Sequence, residues 1–383
     1  MPDPPSSTDP RRSLRLVTYL PALDSLGGVE RHLLETYREL AARGHRIALF
    51  YERSGNLEGE LRSICDSLHP GPSPLYSAAP ARDLPRIIAR AVTASRCRPD
   101  LVYTSNFSEL AWAAAIRALT RAPIVCHPHE FKPVRAVSLR FLGGQVSRFV
   151  VSSEFMRTAW SAHGIDSSRI DVIHNALPTS AYAPGSEQDR LRARRALNLP
   201  SEAYVVLYLG RLIPQKGIDV LLDAWRQLAL APDRARLLFV GVPPEPDAYV
   251  AGLRAQAPPG CDWLPMRRDV LDVLHAGDVL VLPSTWDEPF GRVIVEAMAS
   301  GIPAVASAVG GIPEILTGEF APMLFPRGES AALAERLRGL SHWRETEPAL
   351  GDRCVDHVNR HFGQDVAVTR LEEVFRKSLG GGA

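Results

Sequence analysis

The chain has no run approaching ~18 consecutive apolar residues, so no stretch of it is suited to span a membrane. Net charge is nearly absent: 44 Lys and Arg against 43 Asp and Glu leave +1, with no general pull toward nucleic acid or anionic membrane. Cysteine is sparse. The five, Cys65, Cys97, Cys126, Cys261 and Cys354, are widely spaced and form no Cys-x-x-Cys pair, which argues for free thiols in a reducing compartment, the cytoplasm, and against zinc. Residues 1–12 lack an apolar signal core; polar and proline-rich, they read as a disordered lead-in. What remains is an ordinary globular composition, 45% hydrophobic and 23% charged. At 383 residues it exceeds what one core usually supports, so two domains are expected.

The first half alternates strand and helix patterns. Apolar runs at Leu14–Leu20, Arg46–Tyr51, Leu101–Thr104, Pro123–Cys126 and Arg148–Val151 are expected strands; Val29–Arg43, Ala81–Arg96, Glu109–Ala118 and Glu154–His163 are expected helices. Val29, Leu33, Tyr37 and Leu40 give the first helix an apolar stripe. Such alternation means α/β folding on doubly wound parallel sheets, in which ligands sit beyond the carboxyl ends of the strands. Two features stand at such ends. Gly27-Gly28 opens the first helix and permits close backbone approach, although a glycine pair there is equally the mark of a simple turn. Cys126-His127-Pro128-His129-Glu130 follows the strand at Pro123–Cys126. A histidine pair at spacing two suggests a metal, but no third ligand stands near it in sequence, so substrate contact is the preferred reading and no metal is expected. Downstream, Lys132, Arg135, Arg140 and Arg148 surround Ala136–Leu139 and Phe141-Leu142, a mildly basic amphipathic segment read as a solvated helix face in preference to a membrane contact.

The stretch Thr179–Ser186, preceded by Pro178 and containing Pro184 and Gly185, reads as the interdomain linker. The second half opens with a strand at Tyr204–Leu209, then Gly210-Arg-Leu-Ile-Pro-Gln-Lys-Gly217 and a helix at Ile218–Leu228. Arg211 and Lys216 are cations in a glycine-bounded loop ahead of a helix, suited to a diphosphate: a planar donor fork and a compact charge. The order is not that of a Walker loop. Further on, the apolar run Asp278–Leu282 leads through Pro283 into Ser284-Thr-Trp-Asp-Glu288-Pro-Phe-Gly291 and a helix from Arg292 to Ala299. A helix entered through Phe290-Gly291 aims free backbone N–H groups at an anion. Glu288 and Glu296 lie eight positions apart, which in a continuous helix is about 80° past two full turns. If both are to face one cleft, Glu288 belongs to the non-helical approach, and Glu296 to an otherwise apolar helix where a carboxylate needs a partner. Gly310-Gly-Ile-Pro-Glu314 is expected to begin another helix whose amides reach a phosphate.

Glu288-Pro-Phe-Gly291 with Glu296-Ala-Met-Ala-Ser-Gly301, together with Gly210-Arg211 and Lys216-Gly217, resembles the retaining nucleotide-sugar glycosyltransferases of family 4. The resemblance is specific from Gly210 to Glu314 and weak before Pro178. It implies two Rossmann-like domains facing across a cleft, the GT-B type: an acceptor domain at 13–180, a donor domain at 187–360, and a segment, 361–383, crossing back to the first. By resemblance, Glu288 serves the donor sugar, Glu296 the ribose, Arg211 and Lys216 the diphosphate, and the turn Phe290, Gly291 and Arg292 its approach. Met266 and Arg267 would line the base, Gly27 and Gly28 would border the phosphates, and His129 would sit near the reactive carbon, with His127 the competing alignment. Catalysis would then fall to Glu288, His129, Lys216 and Arg211, without a protein nucleophile. The sequence has no Asp-x-Asp motif, and neither metal nor cofactor is expected. The implied partners are a nucleotide-sugar donor and a small-molecule, glycan or lipid-linked hydroxyl acceptor, with no nucleic acid. A silent sugar-nucleotide binding protein, or an epimerase or phosphorylase on the same plan, is the alternative.

Overall fold

The computed structural model describes residues 13–24, 27–75, 80–243, 245–267 and 270–380; the expected lead-in at 1–12 lies outside them. The chain forms two compact units, one of Met1–Asn175 with Gln364–Ala383, the other of Ala176–Gly363.

The first unit contains β1 (Arg15–Ala22), β2 (Arg46–Arg53), β3 (Ser67–Pro70), β4 (Leu101–Thr104), β5 (Ile124–Cys126), β6 (Arg148–Val151) and β7 (Ile170–Val172). They make a seven-stranded parallel sheet in the order β3-β2-β1-β4-β5-β6-β7. The order reverses between β1 and β4, so the crevice for a ligand opens at their carboxyl ends. Leu33, Tyr37 and Leu40 of helix Gly28–Ala42 are buried against the sheet as the stripe requires, whereas Val29, in the first turn, is exposed. The final helix, Gln364–Gly380, belongs to this unit: Val368, Leu371, Val374 and Phe375 join its core, and Glu372 pairs with His45 and Arg43.

The second unit holds β8 (Tyr204–Leu209), β9 (Ala235–Val242), β10 (Cys261–Pro265), β11 (Val279–Leu282), β12 (Ala304–Ser307) and β13 (Leu324–Phe325). Its six-stranded parallel sheet runs β10-β9-β8-β11-β12-β13, with the reversal between β8 and β11. Every residue of β8 and β11 is buried, as continuous apolar runs in a sheet covered on both faces must be.

Three expectations are corrected. The first domain ends at Asn175, not 180, because Leu177 and Tyr182 are core residues of the second unit and Leu177 bridges Gly363, where the chain returns. Past Ser186, helix Glu187–Ala196 was not foreseen: its stripe is mostly charged, yet Ser186 and Asp189 form a capping box legible as Ser-x-x-Asp. Gly310–Glu314 begins no α-helix, only a 3-10 turn over Ile312–Glu314.

All five cysteines are free. Among the described residues no helix is long and apolar enough to cross a membrane. Helix Ala136–Leu142 buries Leu139 and leaves Val137 and Phe141 each 68% exposed beside exposed Arg135 and Arg140.

Candidate functional site

In the second unit, the loops leaving β8 and β11 meet where the strand order reverses. Three glycines make the approach close. Gly217, at φ +65°, lies where a Cβ would come within 2.0 Å of the Pro283 carbonyl oxygen. At Gly310, φ +55°, a Cβ would fall 2.1 Å from the Glu288 carbonyl oxygen, and Gly241 holds the same relation, at 1.9 Å, to that of Gly210. Any side chain at these positions would drive the loops apart, since all three also hold left-handed φ values. The Thr285 amide donates to the Gln215 carbonyl (3.0 Å), strapping the two loops together.

That strap sets Lys216 opposite Glu288. The Lys216 ammonium donates to Glu288 Oε1 at 2.5 Å, the Ser284 hydroxyl donates to the same oxygen, and the ammonium lies 5.7 Å from the centre of the Trp286 ring. Glu288 is 5% exposed and stands, as its spacing required, before the helix. Arg211 is exposed at the mouth of the loop, its carbonyl accepting from the Tyr208 hydroxyl at 2.8 Å. Burial, with the charge of Glu288, pushes the Tyr208 phenol well above its ordinary range, so it remains a neutral donor.

The helix Arg292–Ala299 begins at Gly291, φ +118°, with no side chain capping it. Its second carboxylate, Glu296, is 4% exposed and accepts through Oε1 from Arg292 Nε (2.8 Å) and the Tyr182 hydroxyl (3.1 Å). Arg292 also reaches the Ala176 carbonyl at 3.4 Å, which ties the segment at 176–182 to the helix. The Phe290 ring is a core side chain packed edge-on to Phe362, which leaves only its backbone to serve the helix start. Gly311 differs from expectation, its amide donating to the Glu288 carbonyl at 2.8 Å. Met266 and Arg267 are exposed just past β10, where the Met266 amide donates to the Val242 carbonyl.

In the first unit, Gly27 caps helix Gly28–Ala42 without a side-chain contact, just beyond β1. His127 and His129 follow β5 and are buried; the Tyr103 hydroxyl and His127 Nδ1 lie 2.7 Å apart. Burial lowers both imidazoles, His129 to about 4, and His127 further because His129 and His32 crowd it; both are neutral near pH 7. His32 is the residue missed from sequence. It projects from helix Gly28–Ala42 to edge-on contact with His127 and His129, ring centroids 5.7 and 5.3 Å away. A polar residue beside Leu33 on the buried arc of that helix was the available signal. With it, the reason for setting a metal aside fails: a third histidine is present, brought in by the sheet order rather than by sequence proximity.

Comparison with known proteins agrees with this architecture. A model described as Glycosyltransferase Family 4 matches residues 26–181, and one described as Glycosyl transferases group 1 matches 203–342. A D-inositol 3-phosphate glycosyltransferase of Mycolicibacterium gilvum is 29% identical, over 88% of this chain and 82% of that protein. One from Corynebacterium glutamicum is 27% identical over 94% of each. Among solved structures, Anabaena HepE in complex with UDP and glucose superposes with TM-score 0.80 at 23% identity, covering 94% of this chain and 98% of that one. A glycosyltransferase of Rickettsia africae superposes with TM-score 0.82 at 20% identity over 97% and 100%. The two family models together span most of the chain, and both sheets carry the GT-B strand plan: the chain belongs to glycosyltransferase family 4.

Proposed function

We propose that the chain transfers a sugar, with retention of anomeric configuration, from a nucleotide diphosphate to a hydroxyl acceptor, with no metal at the diphosphate. The observation that carries this reading is the Lys216–Glu288 pair held at the strand reversal between β8 and β11. Lys216, with Arg211 at the loop mouth and the uncapped start of helix Arg292–Ala299, supplies the positive potential that the leaving diphosphate needs. Glu288, with one oxygen fixed by Lys216 and Ser284, orients the sugar and opposes the positive charge developing on its ring. Glu296, braced by Arg292 and Tyr182, accepts from the ribose diol. From the first unit, His129 is assigned to the sugar. The acceptor oxygen bonds to the anomeric carbon on the face from which the phosphate oxygen departs, and that phosphate takes the acceptor's proton. The relatives named for inositol phosphate and the neighbour solved with UDP and glucose favour a nucleotide-sugar donor and a polyhydroxylated acceptor. Five free thiols favour a reducing compartment, the cytoplasm.

Incubation with a panel of UDP-, GDP-, ADP- and dTDP-sugars and candidate acceptors tests the reading: a transferred product of unchanged anomeric configuration is expected. Donor binding without transfer would show a silent binding protein. Turnover is expected to survive EDTA unchanged; loss on chelation with recovery on added magnesium would place a metal at the diphosphate after all.

The two glutamates are expected to fail differently. Glu288→Gln lowers turnover roughly tenfold with little change in donor affinity, because its charge matters most as the ring becomes cationic. Glu296→Gln raises the donor KM by about tenfold, near one net hydrogen bond, and does so less for a 2′-deoxy donor. The 2′-deoxy arm separates ribose contact from simple loosening of Arg292, which would affect both donors equally. The inverse pattern would mean the roles are exchanged.

A further inference from the structure

Among the described residues one group of three side chains has the composition and spacing of a metal site: His32, His127 and His129, all buried, with ring nitrogens within 4.8 Å of one another. They come together because β1 and β5 flank β4, so the helix after β1 and the turn after β5 share one end of the sheet. The His127 Nε2 and both ring nitrogens of His129 have no hydrogen-bond partner among the described residues, an arrangement that asks for an explanation in a buried polar group. A tetrahedral ion with nitrogen ligands at about 2.0–2.1 Å would set imidazole centroids about 5.2 Å apart. His32 stands 5.3 and 5.7 Å from its two neighbours. The His127–His129 pair, at 4.2 Å, has to open by about 1 Å to reach that separation, the scale of a side-chain rotation. The contact of Tyr103 with His127 Nδ1 holds that ring with Nε2 toward the cluster, the outer hydrogen bond that metal-bound imidazoles ordinarily have.

We propose that His32, His127 and His129 bind one divalent transition-metal ion of the kind that prefers imidazole, Zn²⁺ or Co²⁺ rather than Mg²⁺ or Ca²⁺, with a fourth position left open. Resting on the assignment of His129 to the sugar, occupancy withdraws that imidazole from the substrate, so the ion acts as an inhibitor of transfer and not as its cofactor.

Tag-free, EDTA-treated protein is titrated with Co²⁺ and then Zn²⁺. One Co²⁺ per chain is expected, with the visible absorption of four- or five-coordinate cobalt, displaced by Zn²⁺. His32→Ala, or His32→Gln where the smaller side chain impairs folding, lowers affinity at least a hundredfold. His361→Ala, which removes the other close histidine pair (His357 and His361, centroids 4.9 Å apart), leaves it unchanged. Uptake that is substoichiometric, that gives only six-coordinate cobalt, or that is indifferent to both His32 variants overturns the site. Separately, saturating Zn²⁺ lowers transfer by the wild type and EDTA restores it, with no such effect in the His32 variant. Tight binding without inhibition leaves the metal site standing and removes His129 from the sugar instead.

Discussion

Lys216→Ala is expected to lower kcat/KM by about 10²–10³, the effect of removing one preorganised charge aimed at a developing anion, or ~2.7–4 kcal/mol. Lys216 is not a freely moving surface cation. It ends the 3-10 turn Pro214–Lys216, followed by Gly217 in the left-handed region, and its ammonium is fixed by Glu288 and flanked by Trp286. A preorganised charge of this kind needs no reorganisation as the diphosphate leaves, which is why its removal should weigh on turnover as well as on nucleoside diphosphate affinity. The variant also leaves the Glu288 carboxylate with the Ser284 hydroxyl as its remaining donor among the described residues, so the sugar-facing group loses its brace. Steady-state kinetics alongside calorimetric titration of the nucleoside diphosphate checks both effects. Wild-type constants in this variant would place the diphosphate elsewhere. Arg211→Ala, at an exposed position, is expected to act in the same direction but more weakly, because solvent screens its charge.

The largest stability effect is expected far from any ligand. Asp278 immediately precedes β11 and accepts from Arg194 Nη2 (2.7 Å), the Val205 amide (2.8 Å) and Arg344 Nε (2.9 Å). Arg194 is 0% exposed, and its other nitrogens donate to the carbonyls of Ala276, Ser201 and Ala203. Asp278→Ala leaves that guanidinium buried beside carbonyl dipoles with no carboxylate to balance it, which costs about 3–5 kcal/mol. Asp278→Asn, which keeps an acceptor for Val205 and Arg194, is expected to cost less. Urea unfolding followed by tryptophan fluorescence suits the measurement, since Trp343 donates to the Asp278 carbonyl at 2.9 Å. Donor affinity at low temperature should hold, because the network lies at the amino end of β11 and the candidate site at its carboxyl end. Equal losses in both variants would show that the carboxylate charge is not what balances Arg194.

Much of the second unit was legible because its signals are local. The apolar runs Tyr204–Leu209 and Ala304–Ser307, and helices Ile218–Leu228 and Arg292–Ala299, end where punctuation by Gly, Pro and Ser places them. The placement of Glu288 ahead of the helix that carries Glu296 likewise followed from helical geometry, given that both carboxylates face one cleft. Less was legible where partners are remote. Helix Glu187–Ala196 is mostly charged, and nothing in its neighbourhood announces that Arg194 will be neutralised by Asp278. Arg292 and Phe290 sit in a compact motif, yet Tyr182 and Phe362, which contact them, lie far away in sequence.

The alternation of strand and helix and the glycine-bounded loops bearing Lys216 and Glu288 were readable from the sequence alone. These depend on periodicity and on backbone restrictions that act over a few residues. Only the tertiary structure decided that Lys216 and Glu288 share a contact, that Glu296 is held by Arg292 and Tyr182, and that His32 joins His127 and His129. Strand order in a parallel sheet governs which loops become neighbours. That order is set by how whole βα units pack their apolar faces, a property summed over the core and written in no single motif.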